Sequence, residues 1–160
     1  MPATKAQRKV SGFTLVELLV VMVIIGITLG LATLNAIPSP RQDLQKEAQR
    51  IALLLQLARD EAIVRNRLVS FEADGNQYHF LVRNENGWSL ITNDDLLRER
   101  SFAHGPVQLM LDPPAAGSTD RLRITFGREP VDKPFVLTLA SGDNRVAIRA
   151  DGVGHFTVEQ

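Results

Sequence analysis

Hydrophobic and polar positions along the chain follow three successive patterns. From Phe13 to Leu34 the run is almost uniform: 16 of 22 positions are apolar and Glu17 is the one ionisable group. As a helix this run is about 33 Å long at ~1.5 Å per residue, enough to cross a hydrocarbon layer of about 30 Å. Between Pro40 and Asn66 apolar residues return every three or four positions, at Leu44, Ala48, Ile51, Leu55, Ala58 and Ala62, which predicts an amphipathic helix with one buried stripe. Glu61 and Arg65 add an i,i+4 ion pair on its outer side. Beyond Arg67 the period becomes two. Strands are predicted over 68–72, 77–83, 88–91, 107–111, 122–126, 135–139, 146–150 and 155–158, because each run alternates or is β-branched and is bounded by turn residues.

The connections are legible in the same way. Asn35-Ala36-Ile37-Pro38-Ser39-Pro40 breaks the first helix at Pro38; Ser39, Pro40 and Gln42 read as N-cap, first-turn proline and capping-box partner of the second. Ala73-Asp74-Gly75-Asn76, Asn84-Glu85-Asn86-Gly87, Ser141-Gly142-Asp143-Asn144 and Asp151-Gly152-Val153-Gly154 are turn signals between strands. The expected class is α+β: an N-terminal membrane helix, then an amphipathic helix laid against one sheet of an antiparallel, mostly β domain of about seven or eight strands.

Lys5, Arg8 and Lys9 precede the apolar run and the next cation is Arg41, so the N-terminus is expected in the cytoplasm and the C-terminal domain outside it. The run exceeds the roughly 7 to 15 residues of a cleaved secretory signal, and Leu34-Asn35-Ala36 is a poor small-x-small site. Glu17 within the run costs on the order of 2.5 to 3.5 kcal/mol at full membrane depth. The positive end of its own helix returns only about 0.3 to 1 kcal/mol, so the carboxylate calls for a partner. Gly26 and Gly30 form a G-x-x-x-G pair suited to close helix contact.

With Lys9-Val10-Ser11-Gly12 running into Phe13-Thr14-Leu15-Val16-Glu17-Leu18, the sequence resembles the type IV pilin and pseudopilin family, in which a class III leader is cut after a glycine that precedes a phenylalanine. The resemblance implies a leader over 1–12 cut by prepilin peptidase between Gly12 and Phe13, N-methylation of Phe13, and a filament-assembly role for Glu17 through the N-terminal amine of a neighbouring subunit. It implies a transmembrane and filament-core helix over 13–34, a breaker over 35–40, an amphipathic helix over 40–67 and a periplasmic domain over 68–160. Pilin-like proteins carry one long N-terminal helix, whereas Pro38 and Pro40 predict an interruption here. The passage Ala58-Arg59-Asp60-Glu61-Ala62-Ile63-Val64-Arg65-Asn66 into Leu68-Val69-Ser70-Phe71 is similar to the H-type minor pseudopilins of type II secretion and the related minor pilins. That likeness implies a pilin-like fold, with the amphipathic helix packed on an antiparallel two-sheet β domain, and an inner-membrane, single-pass subunit near the tip of a periplasmic pseudopilus that drives folded proteins through the outer membrane. The partners implied are the major pseudopilin and other minor pseudopilins, prepilin peptidase, the inner-membrane assembly platform, secreted cargo and the outer-membrane secretin.

No catalytic constellation is present: there is no G-x-S-x-G elbow, no H-E-x-x-H and no P-loop. Zero cysteines exclude disulfides and thiolate sites. His79, His104 and His155 lack ligand spacing, and Asp94, Asp95 and Glu99 read as a solvated acidic loop, so neither metal nor cofactor is expected. Residues 112–120 form a breaker-rich loop open to a subunit or cargo contact. Two alternatives stay open: a minor pilin of a type IV or competence pilus that contacts a surface or DNA, for which Arg121, Arg123 and Arg128 are the small basic cluster, and a membrane-anchored periplasmic enzyme.

Charge argues against nucleic acid. The chain holds 18 basic and 18 acidic side chains. Removing residues 1–12 takes away Lys5, Arg8 and Lys9, so 18 minus 3 leaves 15 basic against 18 acidic, a balance of −3. Polyanion-binding domains carry the opposite sign.

Overall fold

The computed structural model describes residues 13–34, 39–103, 105–114 and 121–159, with the side chains of 31–34 left undescribed. The chain divides into two compact units, one up to Pro38 and one from Ser39.

In the first unit α1 runs Leu15–Leu34. Among the described residues no helix is long and apolar enough to cross a membrane.

The second unit opens with α2, Pro40–Val64. Ser39 caps it: its hydroxyl oxygen accepts from the Gln42 N–H at 3.3 Å and its carbonyl from the Asp43 N–H at 3.1 Å. Pro40 occupies the first turn, where a missing N–H costs nothing. All six residues of the expected stripe are buried, and Glu47, Ala52 and Leu54 widen it. The helix stops three residues short of the expected Arg67. Asn66 adopts φ 50°, the Asn66 N–H reaches the Ile63 carbonyl at 3.2 Å, and the Arg67 N–H reaches the Ala62 carbonyl at 3.0 Å. This is the left-handed closure that satisfies the last carbonyls of a helix.

Nine strands follow among the described residues: β1 Val69–Ala73, β2 Gln77–Asn84, β3 Gly87–Leu90, β4 Arg100–Ser101, β5 Gln108–Asp112, β6 Leu122–Phe126, β7 Phe135–Ser141, β8 Asn144–Ala150 and β9 Phe156–Glu159. They form two antiparallel sheets, ordered β3-β2-β1-β6 with β4 also paired to β2, and β5-β7-β8-β9. The pairing of Ser141 with Asn144 and of Asn84 with Gly87 sets two-residue hairpin loops at the expected turns. The chain changes sheet at β4–β5, β5–β6 and β6–β7, which locks the sheets together.

The core lies between the two sheets and under α2. Phe71, Tyr78, Phe80 and Phe102 stack as neighbours with centroids 5.4 to 5.8 Å apart, while Phe126, Phe135 and Phe156 pack at 6.1 and 6.2 Å. α2 touches β7, β8 and β9 of one sheet and β1 and β6 of the other, so it lies across both rather than on one. The reason is its wide buried face, which needs more cover than a single sheet offers.

Candidate assembly site

The residues expected to carry assembly sit at the start of α1. Gly12 lies outside the described residues. Phe13 is 74% exposed, and the apolar side chains that follow it, from Leu15 through Leu29, are exposed as well. In isolation such a surface is unstable in water and requires lipid or other helices to cover it. Thr14 is the N-cap: its hydroxyl accepts from the Glu17 N–H at 3.3 Å, and its carbonyl accepts from the N–H groups of Glu17 and Leu18 at 3.1 and 3.2 Å. Thr14-Leu15-Val16-Glu17 therefore has capping-box spacing, a signal present in the sequence that the pairing argument overlooked. The cap uses the Glu17 backbone and leaves its carboxylate without a partner among the described residues. Further along, the Thr28 hydroxyl donates to the Ile24 and Ile25 carbonyls at 2.9 and 3.0 Å, which hides its polarity within the helix. A methyl added at Gly26 or Gly30 would meet nothing within 4 Å, so one flat strip of α1 is open to a close neighbour.

The β domain distributes its polar groups as ties between elements. Glu47 of α2 is buried and accepts from the Tyr78 hydroxyl at 3.2 Å and from Arg50 at 3.1 Å. Burial, and then the Glu47 charge, pushes the Tyr78 phenol up to about 12. On the outer face of the first sheet Glu72 is buried between Arg123, which pairs with its Oε1, and His79, whose Nε2 stands 3.3 Å from Oε2. Arg59 donates to the Pro130 carbonyl and lies 3.5 Å from Asp60, tying the β6–β7 connection to α2. Asp151 Oδ1 accepts from the N–H groups of Val153, Gly154 and His155 at 2.8 to 3.1 Å. Its Oδ2 stands 2.6 Å from His155 Nδ1. The imidazole contact first, then the backbone donors, hold the Asp151 carboxyl down at about 2.

These placements bear on the candidate chemistry. His79 belongs to the β2 cluster and His155 to the turn before β9, in different sheets; His104 lies outside the described residues. Among the described residues no group of three or more His, Asp or Glu side chains is arranged to hold a metal ion. Asp94 spends its Oδ1 on the N–H groups of Leu96 and Leu97 at 2.7 and 3.1 Å, as a turn residue does. Of the three clustered arginines, Arg123 is neutralised by Glu72. Of the loop over 112–120, residues 115–120 lie outside the described residues.

An exposed apolar helix headed by a capped Phe-Thr-x-x-Glu, followed by a helix laid on two antiparallel sheets, is the architecture of a pilin-like protein. Residues 7–33 match the model of the prokaryotic N-terminal methylation motif, and residues 47–154 match that of type II transport protein GspH. The type II secretion system protein H of Pseudomonas aeruginosa is 40% identical over 136 residues, 82% of this chain and 77% of that one. Its counterpart in Aeromonas hydrophila is 27% identical over 94% of this chain and 93% of that one. Two structures of the minor pseudopilin EpsH of Vibrio cholerae share the fold, with TM-scores of 0.58 and 0.60 at 18% identity, covering 73% and 75% of this chain and 96% and 95% of theirs. The chain belongs to the GspH family, the H-type minor pseudopilins of type II secretion.

Proposed function

We propose that the chain is a structural, non-enzymatic subunit near the tip of a periplasmic pseudopilus, with residues 13–34 in the inner membrane, the N-terminus in the cytoplasm and the β domain in the periplasm. Prepilin peptidase cuts between Gly12 and Phe13, and Phe13 is N-methylated. The assembly platform then passes the helix laterally from the bilayer into the filament. There Glu17 meets the N-terminal amine of a neighbouring subunit, and the pairing sets register. Growth of the filament beneath this subunit pushes cargo toward the secretin.

The observation that carries this reading is the pairing of an exposed apolar helix with one carboxylate that has no partner among the described residues, four residues after Phe13. A charge at membrane depth costs about 2.5 to 3.5 kcal/mol, and a fixed cation brought by another helix offsets it only in the assembled state. Two measurements test it. Gly12→Val should leave the chain at precursor length on a denaturing gel, and a normal mature band from that variant rejects the cleavage site. Glu17→Leu should insert and be processed normally yet lose co-purification with the major pseudopilin; undiminished co-purification rejects the pairing role.

A further inference from the structure

The β2–β3 hairpin lies at the end of the domain where α2 finishes, a helix about 37 Å long for 25 residues at ~1.5 Å each. Two observations fix that position: the Arg83 N–H donates to the Leu68 carbonyl at 2.9 Å, and a cavity beside the hairpin is lined by Arg67, Arg83, Asn84, Glu85 and Asn86. On the outer face of the sheet, Arg83 and Trp88 are a directly opposed cross-strand pair. The guanidinium of Arg83 lies 5.6 Å from the Trp88 ring centroid and that of Arg123 lies 5.5 Å from it. Leu81 and Leu90, the next opposed pair, continue this face, and Leu90 is 42% exposed. Among the described residues neither Arg67 nor Arg83 belongs to an ion pair, whereas Arg65 is held by Glu61 and Arg123 by Glu72. Glu85 is the one carboxylate lining the hairpin cavity.

An aromatic ring with two guanidinium groups within 5.6 Å of its centroid, one of them the Arg83 that belongs to no ion pair among the described residues, and with apolar neighbours, has the composition of an interface centre. With Arg123 held by Glu72, Arg67 and Arg83 make it a cationic spot on a mature chain whose side chains balance at −3, so a complementary surface is acidic. The hairpin register holds Arg83 and Trp88 in place before any partner arrives, which suits a fixed neighbour more than a succession of cargoes. We propose that the Arg67–Arg83–Trp88–Arg123 surface docks an acidic patch on the globular domain of another pilin-like subunit, the one standing beyond this subunit at the end remote from Pro40. This rests on the filament reading above.

The absence of cysteine makes the test direct. A thiol-linked photo-crosslinker is placed on the full-length chain, in cells carrying the secretion system, at Asn86→Cys beside the surface or at Asp143→Cys on the β7–β8 turn. Asn86→Cys is expected to give a crosslink to a pilin-like subunit, identified by mass spectrometry, about tenfold above Asp143→Cys. Adding Arg67→Glu and Arg83→Glu should lower it about tenfold, the change expected for loss of one strong ionic contact, while Arg67→Lys with Arg83→Lys keeps most of it. Equal yields at the two sites, a crosslink to secreted cargo in place of a subunit, or a yield that charge reversal leaves unchanged each overturn the proposal. The comparison of Asn86 with Asp143 needs no charge variant, so it stands even if the reversed chain is degraded. Co-purification of the tagged full chain with pilin-like subunits separates the two levels: its loss in the parent chain rejects the filament reading, whereas its persistence without the Asn86 crosslink rejects this surface alone.

Discussion

Gly152 is the position where the smallest substitution should do the greatest damage to the periplasmic domain. It sits in the β8–β9 turn with φ +82°, and a Cβ built there would stand 2.3 Å from the Asp132 carbonyl oxygen and 3.2 Å from Pro134 N. Both are backbone atoms of the β6–β7 connection, which no side-chain rotation can move aside. The same approach supports a hydrogen bond from the Asp132 N–H to the Gly152 carbonyl at 2.7 Å. Gly142, in the β7–β8 turn, supplies the control: its φ is +56°, and a Cβ there would meet nothing within 4 Å. Placing alanine in a left-handed conformation costs about 1–2 kcal/mol at either site. Gly152→Ala adds overpacking of about 1–3 kcal/mol and weakens a hydrogen bond worth about 0.5–1.5 kcal/mol. The two variants should therefore differ by about 2–4 kcal/mol, a large share of the 5–15 kcal/mol of a typical domain. The assay is urea unfolding of residues 39–160, which form a compact unit with their own core. Trp88, the chain's one tryptophan, is the fluorescent reporter. A gap of about 2 kcal/mol moves the midpoint by roughly 1 M. Coincident midpoints for Gly152→Ala and Gly142→Ala would refute the clash argument.

Tyr78 is the chain's one tyrosine, so tyrosinate absorbance reports it alone, and it should rise near pH 12 in the folded domain rather than near 10. Because the unfolded phenol ionises first, its contribution of about 2–3 kcal/mol is intact below pH 10 and lost as pH climbs through 12; Tyr78→Phe should remove that alkaline step. Asp151 runs the other way: its folded carboxyl is depressed to about 2 from 3.8, so its support of the β8–β9 turn is present above pH 4 and lost as pH falls through about 2. Carboxyl NMR titration checks it, and Asp151→Asn should leave the turn insensitive over that window. Asn66→Val forces a β-branched residue into φ 50° and should lower stability by about 1–2 kcal/mol, while Asn66→Gly should leave it unchanged or slightly higher; a thermal melt of each variant reads the difference.

Alternation, β-branched content and bounding turn residues together were enough to place eight of the strands: strands such as β8 write their burial into sequence at every second residue, whereas β1, buried at all five positions, was marked by its composition and its Asp-Gly turn. β4 carried no such mark. Arg100 and Ser101 are two polar residues whose extended form is imposed by pairing with Gln77 and Tyr78, a tertiary cause with no local signature. The end of α2 was misplaced by three residues because Asn66, at φ 50°, does the work usually given to glycine, and asparagine marks a left-handed helix end less strongly than glycine does. Of the polar ties, Arg83 opposite Trp88 follows from a two-residue loop at Glu85-Asn86 once that loop length is known. The Glu72–His79–Arg123 group could not be read, since it joins three strands whose order β2-β1-β6 is fixed only when the chain returns from the second sheet. The helix α1, in contrast, was legible at once, because it is written as one unbroken apolar run from Leu15 on.

Thr14 changes the meaning of Glu17. If capping consumed the carboxylate, pairing with a neighbour would have to break an internal bond first, and assembly would gain little. The cap observed here runs from the Glu17 N–H to the Thr14 hydroxyl, so the first turn is already ordered while the carboxylate stays available. Removing the hydroxyl separates the two roles. Thr14→Val keeps the shape and the charge at Glu17 but removes the hydroxyl acceptor, leaving the Glu17 N–H its bond to the Thr14 carbonyl alone, a loss of about 0.5–2 kcal/mol by the usual cost of an N-cap. Under the proposed pairing, that variant should insert, be processed and still co-purify with the major pseudopilin, at reduced yield, whereas Glu17→Leu abolishes co-purification. Should Thr14→Val fail as completely as Glu17→Leu, the first turn itself is the recognised element, and a role for the Glu17 charge independent of the cap is rejected.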